Sequence, residues 1–227
     1  GFTASAINQS LATNISNLNV LNSSLIRQTI TYTITPKVLG GLACAGPSVV
    51  VVISIDPVPV VSSAATKSIC SGVSVNYVPT AAVAGTVFNW TSSVTVGTVT
   101  GNTAVGGLGT IADVLVNTTN VIGTVRYVIT PVANGCSGTP FNVDVTVDPQ
   151  PTLSTVVTPL SQVLCSNTAM VIDVNSATVP SAGSVVYDYV AVASDVSVTG
   201  FTASAINQSL ATNISNLNVL NSSLIRQ

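Results

Sequence analysis

The chain has 227 residues, 47% of them hydrophobic and only 5% charged, with no histidine and a formal net charge of −2. Five Lys and Arg scattered among seven acidic residues, every one an Asp, leave no electrostatic footprint for nucleic acid. The apolar content excludes a disordered chain. No apolar run of transmembrane length and no basic-then-apolar leader at Gly1 occur, so neither a membrane span nor a signal peptide is predicted, and no membrane contact is expected from this segment.

Residues 1–28 (GFTASAINQSLATNISNLNVLNSSLIRQ) return unchanged as residues 200–227, a step of 199. Two copies of one segment cannot fill the same place in one compact fold. The sequence is therefore expected to be a slice through a longer repetitive polymer, starting and stopping inside a domain, and repetition on this scale points to an architectural role. Within the first copy, Leu11, Ile15, Leu18 and Leu21 have helical spacing. The stretch is rich in Asn and Ser, however, and strand plus loop is predicted.

Residues 29–35 (TITYTIT) alternate strictly, with Ile30, Tyr32 and Ile34 on one face, which predicts a half-buried strand. After a loop around Lys37 comes VVVVISI. Val49, Val50, Val51, Val52, Ile53 and Ile55 make both faces apolar, and this is the candidate packing strand, to be covered by a neighbouring module or a partner chain. The joint Asp56-Pro57-Val58-Pro59 follows, and a similar one lies at Asp148-Pro149-Gln150-Pro151. Proline fixes φ and restricts the residue before it, so both joints should be extended and stiff. Between them, strands are predicted near residues 73–78, 86–92, 111–117, 123–130 and 143–147, separated by Gly, Asn and Pro clusters. This density of short strands fits an immunoglobulin-like sandwich.

A weaker internal repeat defines the modules. Tyr127-Val128-Ile129-Thr130-Pro131 matches Tyr32-Thr33-Ile34-Thr35-Pro36, Cys136 matches Cys44, and Asp148-Pro149 matches Asp56-Pro57, with twelve residues from Cys to Asp in both. Ile69-Cys70-Ser71-Gly72 likewise matches Leu164-Cys165-Ser166-Asn167. Each period thus holds two related modules. Residues 58–149 form a complete one, residues 1–57 the C-terminal part of a split one, and residues 150–227 the N-terminal part of the next, in which 200–227 repeats 1–28.

The four cysteines are isolated and unaccompanied by histidine, which is not a zinc pattern. With Cys70 placed before the first strand of the complete module and Cys136 in the turn between its last two, a Cys70–Cys136 disulfide is predicted. Cys44 and Cys165 are expected to pair with each other's copies in adjacent periods. Disulfides in turn predict an extracellular location.

Chemistry is not expected. Without histidine a Ser or Cys nucleophile lacks its usual base, and no catalytic residue, cofactor or metal is predicted. Asp144, Asp173 and Asp188 are too dispersed for a calcium site and read as turn or solvated strand residues. Lys37 and Lys67 read as solvated lysines and not as isopeptide donors. Trp90 and Tyr127 invite a sugar-stacking role, but they read as sandwich core. The sequons beginning at Asn8, Asn14, Asn22, Asn89 and Asn117 carry no assigned function.

ICSG at 69–72, FNW at 88–90, GTVRYVITPVANGCSGTP at 123–140 and VDVTVDPQP at 143–151 resemble the PKD-like, immunoglobulin-like repeats of giant Bacteroidetes cell-surface proteins. The resemblance covers the complete module well and the split one more loosely. It implies tandem all-β sandwich modules, two per 199-residue period, in a long secreted adhesin or surface filament, often exported by the type IX system and in some members linked to gliding. Leu42-Ala43-Cys44 replaces the Asn-Gly-Cys turn, and the extra residues 37–42 mark a loop suited to a specialised contact. Two roles follow. In the first, the chain is a non-enzymatic structural repeat in the shaft of a surface fibre, partnered by adjacent copies of itself. In the second, the repeats bind a surface, polysaccharide or host partner, and repetition supplies avidity.

Overall fold

The computed structural model describes residues 6, 9, 14–16, 19–42, 44–104, 106–154, 162–210 and 213–223. The architecture is all-β, with no helix among the described residues. It falls into an N-terminal hairpin, a central sandwich and a C-terminal set of strands.

The hairpin pairs β1 (Gln28–Ile34) with β2 (Val49–Ile55) antiparallel, setting Tyr32 opposite Val51 and Ile30 opposite Ile53. The sandwich contains β3 (Thr66–Cys70), β4 (Val73–Ser74), β5 (Val87–Val96), β6 (Val99–Thr100), β7 (Gly107–Leu108), β8 (Val114–Asn117), β9 (Gly123–Ala133), β10 (Cys136–Ser137) and β11 (Phe141–Asp148). One sheet runs β3-β11-β9-β5-β7 with β10 attached to β9, and the other runs β4-β8-β6. β3 joins β11 in parallel; the remaining neighbours are antiparallel. Asn134 and Gly135 turn the β9–β10 hairpin with φ of 49° and 80°, the left-handed geometry that an Asn-Gly loop adopts at least cost.

Strict alternation along β9 and β11 explains the core. Val125, Tyr127, Ile129, Val143, Val145 and Val147 point to one side and are 0% exposed. The opposite sheet and its flanks supply Val75, Tyr77, Val99, Ile111 and Leu115. Trp90 meets Tyr127 edge to face, with ring centroids 5.5 Å apart, so both aromatics are core residues as expected. Tyr127 spans the core and donates its phenol to Asp113 at 2.8 Å. Gly107 is required beside Trp90, because a Cβ there would lie 1.9 Å from the indole ring.

The C-terminal strands are β12 (Thr168–Ile172), β13 (Val186–Val190), β14 (Val198–Thr199), β15 (Ser204–Ser209) and β16 (Ile214–Asn221). They pair as β12-β16-β14 and β13-β15. β16 is the second copy of residues 15–22, so the helical spacing noted there belongs to a strand; most of the first copy lies outside the described residues.

One buried side chain holds the exit end of the sandwich. Asn117 donates to the carbonyls of Val121 and Val147 at 2.7 and 2.9 Å, and accepts from the Thr119 amide and hydroxyl at 3.0 and 2.8 Å. Its own amide donates to Ser71 Oγ at 3.0 Å. The sequon at Asn117 is therefore an internal clasp. Asn117→Ala should leave carbonyls unpaired and destabilise the sandwich by about 3 kcal/mol, against about 1 kcal/mol for Thr119→Ala. Denaturant unfolding followed by the fluorescence of Trp90, the sole tryptophan, measures both.

Candidate functional site

The feature that calls for a function is an apolar surface that this chain leaves open. Counting from Tyr32≡Tyr127 and Cys44≡Cys136, the β1–β2 register is the β9–β11 register: Tyr32 faces Val51 as Tyr127 faces Val143. The inward residues of β9 and β11 thus correspond to Ile30, Tyr32, Ile34, Val51, Ile53 and Ile55. Their counterparts are wholly buried, yet Ile34, Val51 and Ile53 remain 41%, 41% and 47% exposed. The outward Val49, Val50 and Val52 are exposed too, so the candidate packing strand is uncovered on both faces. The six inward residues line a groove of ≈ 490 Å³, with Ile15, Ser16 and Val20 along one side.

The hairpin carries the same clasp as the sandwich. Asn22 donates to Ile26 O and Ile55 O, both at 2.8 Å, and accepts from the Ser24 amide and hydroxyl at 3.0 and 2.7 Å. Each bond has its equivalent at Asn117. What Asn22 lacks is a partner corresponding to Ser71. That contact appears instead at its second copy: the Asn221 amide donates to Ser166 Oγ at 3.0 Å, and Ser166 Oγ donates to Asn221 O at 3.4 Å. Sequence reading passed over these asparagines. The available signal was Asn-x-Ser/Thr at equivalent places in both modules, Asn22-Ser23-Ser24 and Asn117-Thr118-Thr119.

The ends of the sandwich are wired to what precedes and follows it. At the exit, Asp148 accepts from the Ser181 amide at 2.6 Å and its hydroxyl at 2.8 Å, and the Val179 amide donates to Asn120 O at 2.7 Å. At the entrance, Arg27 forms a bidentate pair with Asp56, with both bonds 2.8 Å. That pair lowers the Asp56 pKa, chiefly through the hydrogen bond. It also raises that of Arg27, mainly by hydrogen bond and charge, with a smaller contribution from Cys136, which lies within electrostatic reach.

Cysteine placement corrects the sequence reading. Cys70 is the last residue of β3, a strand not anticipated there, and pairs with Asp148 at the exit end. Cys136 follows Ala133 at the other end of β9, beyond the Ile129–Phe141 pair. The length of β11 separates them, on the order of 20 Å at 3.3 Å per residue, whereas a disulfide needs Cα atoms within about 7 Å. The predicted Cys70–Cys136 bond does not fit this topology, and neither does its counterpart between Cys44 and a copy of Cys165. All four thiols are free, and Cys44, Cys70 and Cys165 are exposed.

Other candidate residues have structural roles. Arg126 Nε and Nη2 donate to Asp144 at 2.7 and 2.8 Å, and Asp188 accepts from the Asn207 amide at 2.7 Å in a left-handed turn. Asp173 is half-buried just after β12. Lys67 donates to Asn76 O at 2.9 Å, and Lys37 sits in a bridge with Ala45. Among the described residues no three metal-ligating side chains cluster, and no helix is long and apolar enough to cross a membrane. Tyr127 is pushed well above its ordinary pKa, first by burial and then by its bond to Asp113, so it stays a neutral donor.

The family model of the PKD-like domain matches residues 67–151, the central sandwich almost entirely. With the two facing sheets, that makes the fold an immunoglobulin-like, PKD-like β-sandwich. The match suggests an extracellular structural or adhesive module, of a kind generally without catalytic activity. No curated protein and no solved structure matches the chain.

Acid should weaken the sandwich in a defined way. The Arg126 hydrogen bonds hold Asp144 below the ordinary carboxylate range. A depressed folded-state pKa stabilises the fold above the unfolded value of about 3.9, and that contribution is lost as pH falls through the lower folded value. The Trp90-detected denaturation midpoint should therefore drop below about pH 4, and Asp144→Asn should flatten that drop while slightly lowering the plateau at neutral pH.

Proposed function

We propose that the chain is a structural repeat unit in the shaft of an extracellular bacterial surface fibre or giant adhesin, with adjacent copies of the same repeat as its partners. The observation that carries this reading is the unaltered return of residues 1–28 at 200–227. Uniform units give uniform spacing, and a shaft needs nothing else from them. The stiff proline joints and the hydrogen bonds from Ser181 and Val179 onto the exit end support a directed rod over a loose string. The PKD-like match supports an extracellular setting, and the Bacteroidetes and type IX context is carried by the sequence resemblance alone.

A second reading, a multivalent adhesive array, draws on the strongly exposed Val190, Val192 and Val196 beside β13. Electron microscopy of the native surface material separates the two. An unbranched filament with an axial repeat of two domains is expected. Isolated beads on flexible tethers would replace the shaft with the adhesive array.

A further inference from the structure

The C-terminal strands are the other half of what the hairpin lacks. β12-β16-β14 repeats the order β4-β8-β6, and β13-β15 repeats β5-β7. The registers agree: Thr168 faces Val219 as Val73 faces Leu115, and Val198 faces Asn221 as Val99 faces Asn117. The buried Val75, Tyr77, Val99 and Leu115 therefore correspond to Met170, Ile172, Val198 and Val219, which are only half-buried. What is missing is a pair equivalent to β9 and β11, and β1–β2 is such a pair. Resting on the repeat reading above and naming its contact, we propose that β1–β2 of one copy of this chain docks head to tail into residues 162–223 of a second copy. The docked strands complete a sandwich, and the joint is closed by Cys44–Cys70 and Cys136–Cys165 disulfides between the copies.

The occupant is specified by the sequence itself. Ile15 and Val20 of the first repeat copy already line the groove on the hairpin. Their second copies, Ile214 and Val219, lie on β16, which brings β12 and β14 with it and is followed in space by none of its missing partners. Exchanging one strand for an identical one costs nothing in side-chain fit, and the incoming copy adds the strands that the local one lacks. The clasp also becomes whole, because the hairpin supplies the bonds made at Asn22 and the incoming copy those made at Asn221.

The disulfides follow from strand ends. Cys165 corresponds to Cys70, which pairs with Asp148, so the incoming Cys165 arrives beside Asp56 and its partner Arg27, at the entrance where Cys136 lies. By the same correspondence Cys44 at the tip of β1–β2 arrives at the exit end of the preceding sandwich, where Cys70 lies. For each bond two thiols lose two protons and two electrons to a disulfide oxidant. Oxidised glutathione serves, and leaves as two reduced thiols.

Sedimentation velocity of the purified reduced chain over a concentration series tests the docking. A heterologous interface that does not close on itself should give an open ladder of oligomers. Tyr32→Asp and Met170→Asp each place a charge in the completed core from opposite sides and should weaken association on the order of 100-fold or more, with Trp90-detected unfolding of the central sandwich unchanged. Mixed together, the two variants retain one intact half each and should form dimers that grow no further. Oxidation by glutathione followed by peptide mapping should yield the Cys44–Cys70 and Cys136–Cys165 pairs. A wild-type chain that stays monomeric at every concentration, variants that still build the ladder, or a map of Cys70–Cys136 and Cys44–Cys165 would overturn the proposal. Filaments in the native material alongside a monomeric chain would overturn the docking alone and leave the repeat reading standing.

Discussion

The constraint on which the structure depends is that an antiparallel pair of strands with one wholly apolar face is stable only when a second sheet closes over that face. β9 and β11 meet it. Their inward valines, Tyr127 and Ile129 are covered by β4, β8 and β6, and the polar atoms that enter the core are bonded, Tyr127 to Asp113 and Asn117 to four partners. One exception is the indole nitrogen of Trp90, which is buried without a partner. Only 5% of residues carry charge, so burial and backbone pairing supply nearly all of the cohesion, and two bidentate ion pairs at partly exposed positions add little.

The hairpin β1–β2 has the same pattern and the same register but no second sheet. Its exposed valines and isoleucines are not a different kind of surface from the core of the sandwich. They are the same face seen before closure. The C-terminal strands show the reciprocal condition, with a paired outer sheet and half-buried Met170, Ile172, Val198 and Val219 where a core would be. An exposed apolar face and an unpaired sheet edge are each an association hazard, and here both are complementary to a surface on the same chain.

Much of this was legible in the sequence because strand alternation is a local signal. TITYTIT and NVDVTVD fall in strands where alternation put them, and Tyr127 and Trp90 are core, as their setting in a sandwich implied. What was not legible depends on pairing partners far apart in sequence. The five-residue strand ending at Cys70 reads as a polar stretch, TKSIC, and becomes a strand only because β11 offers it a parallel edge. That one omission misplaced Cys70 and so gave the wrong disulfide. The Asn clasp was hidden for a similar reason, since an Asn-x-Thr triplet reads as a sequon until the carbonyl of Val147 is brought to it from thirty residues away.

The parallel β3–β11 pair also bears on what a shaft would require. A load along the chain enters the sandwich at β3 and leaves at β11, and these are neighbouring strands running the same way. Pulling their outer ends apart shears the ladder from Thr66–Asp144 to Cys70–Asp148, so its bonds resist together instead of opening one at a time. A hairpin pulled at its two open ends would unzip from the first pair. β1–β2 on its own exits into the next module from β2 with nothing beside it, so it can carry such a load only if another strand lies parallel along its free edge. Residues 161–165 of a docked copy occupy that place in the repeat, as residues 66–70 do in the sandwich. The mechanical argument and the packing argument therefore demand the same missing partner.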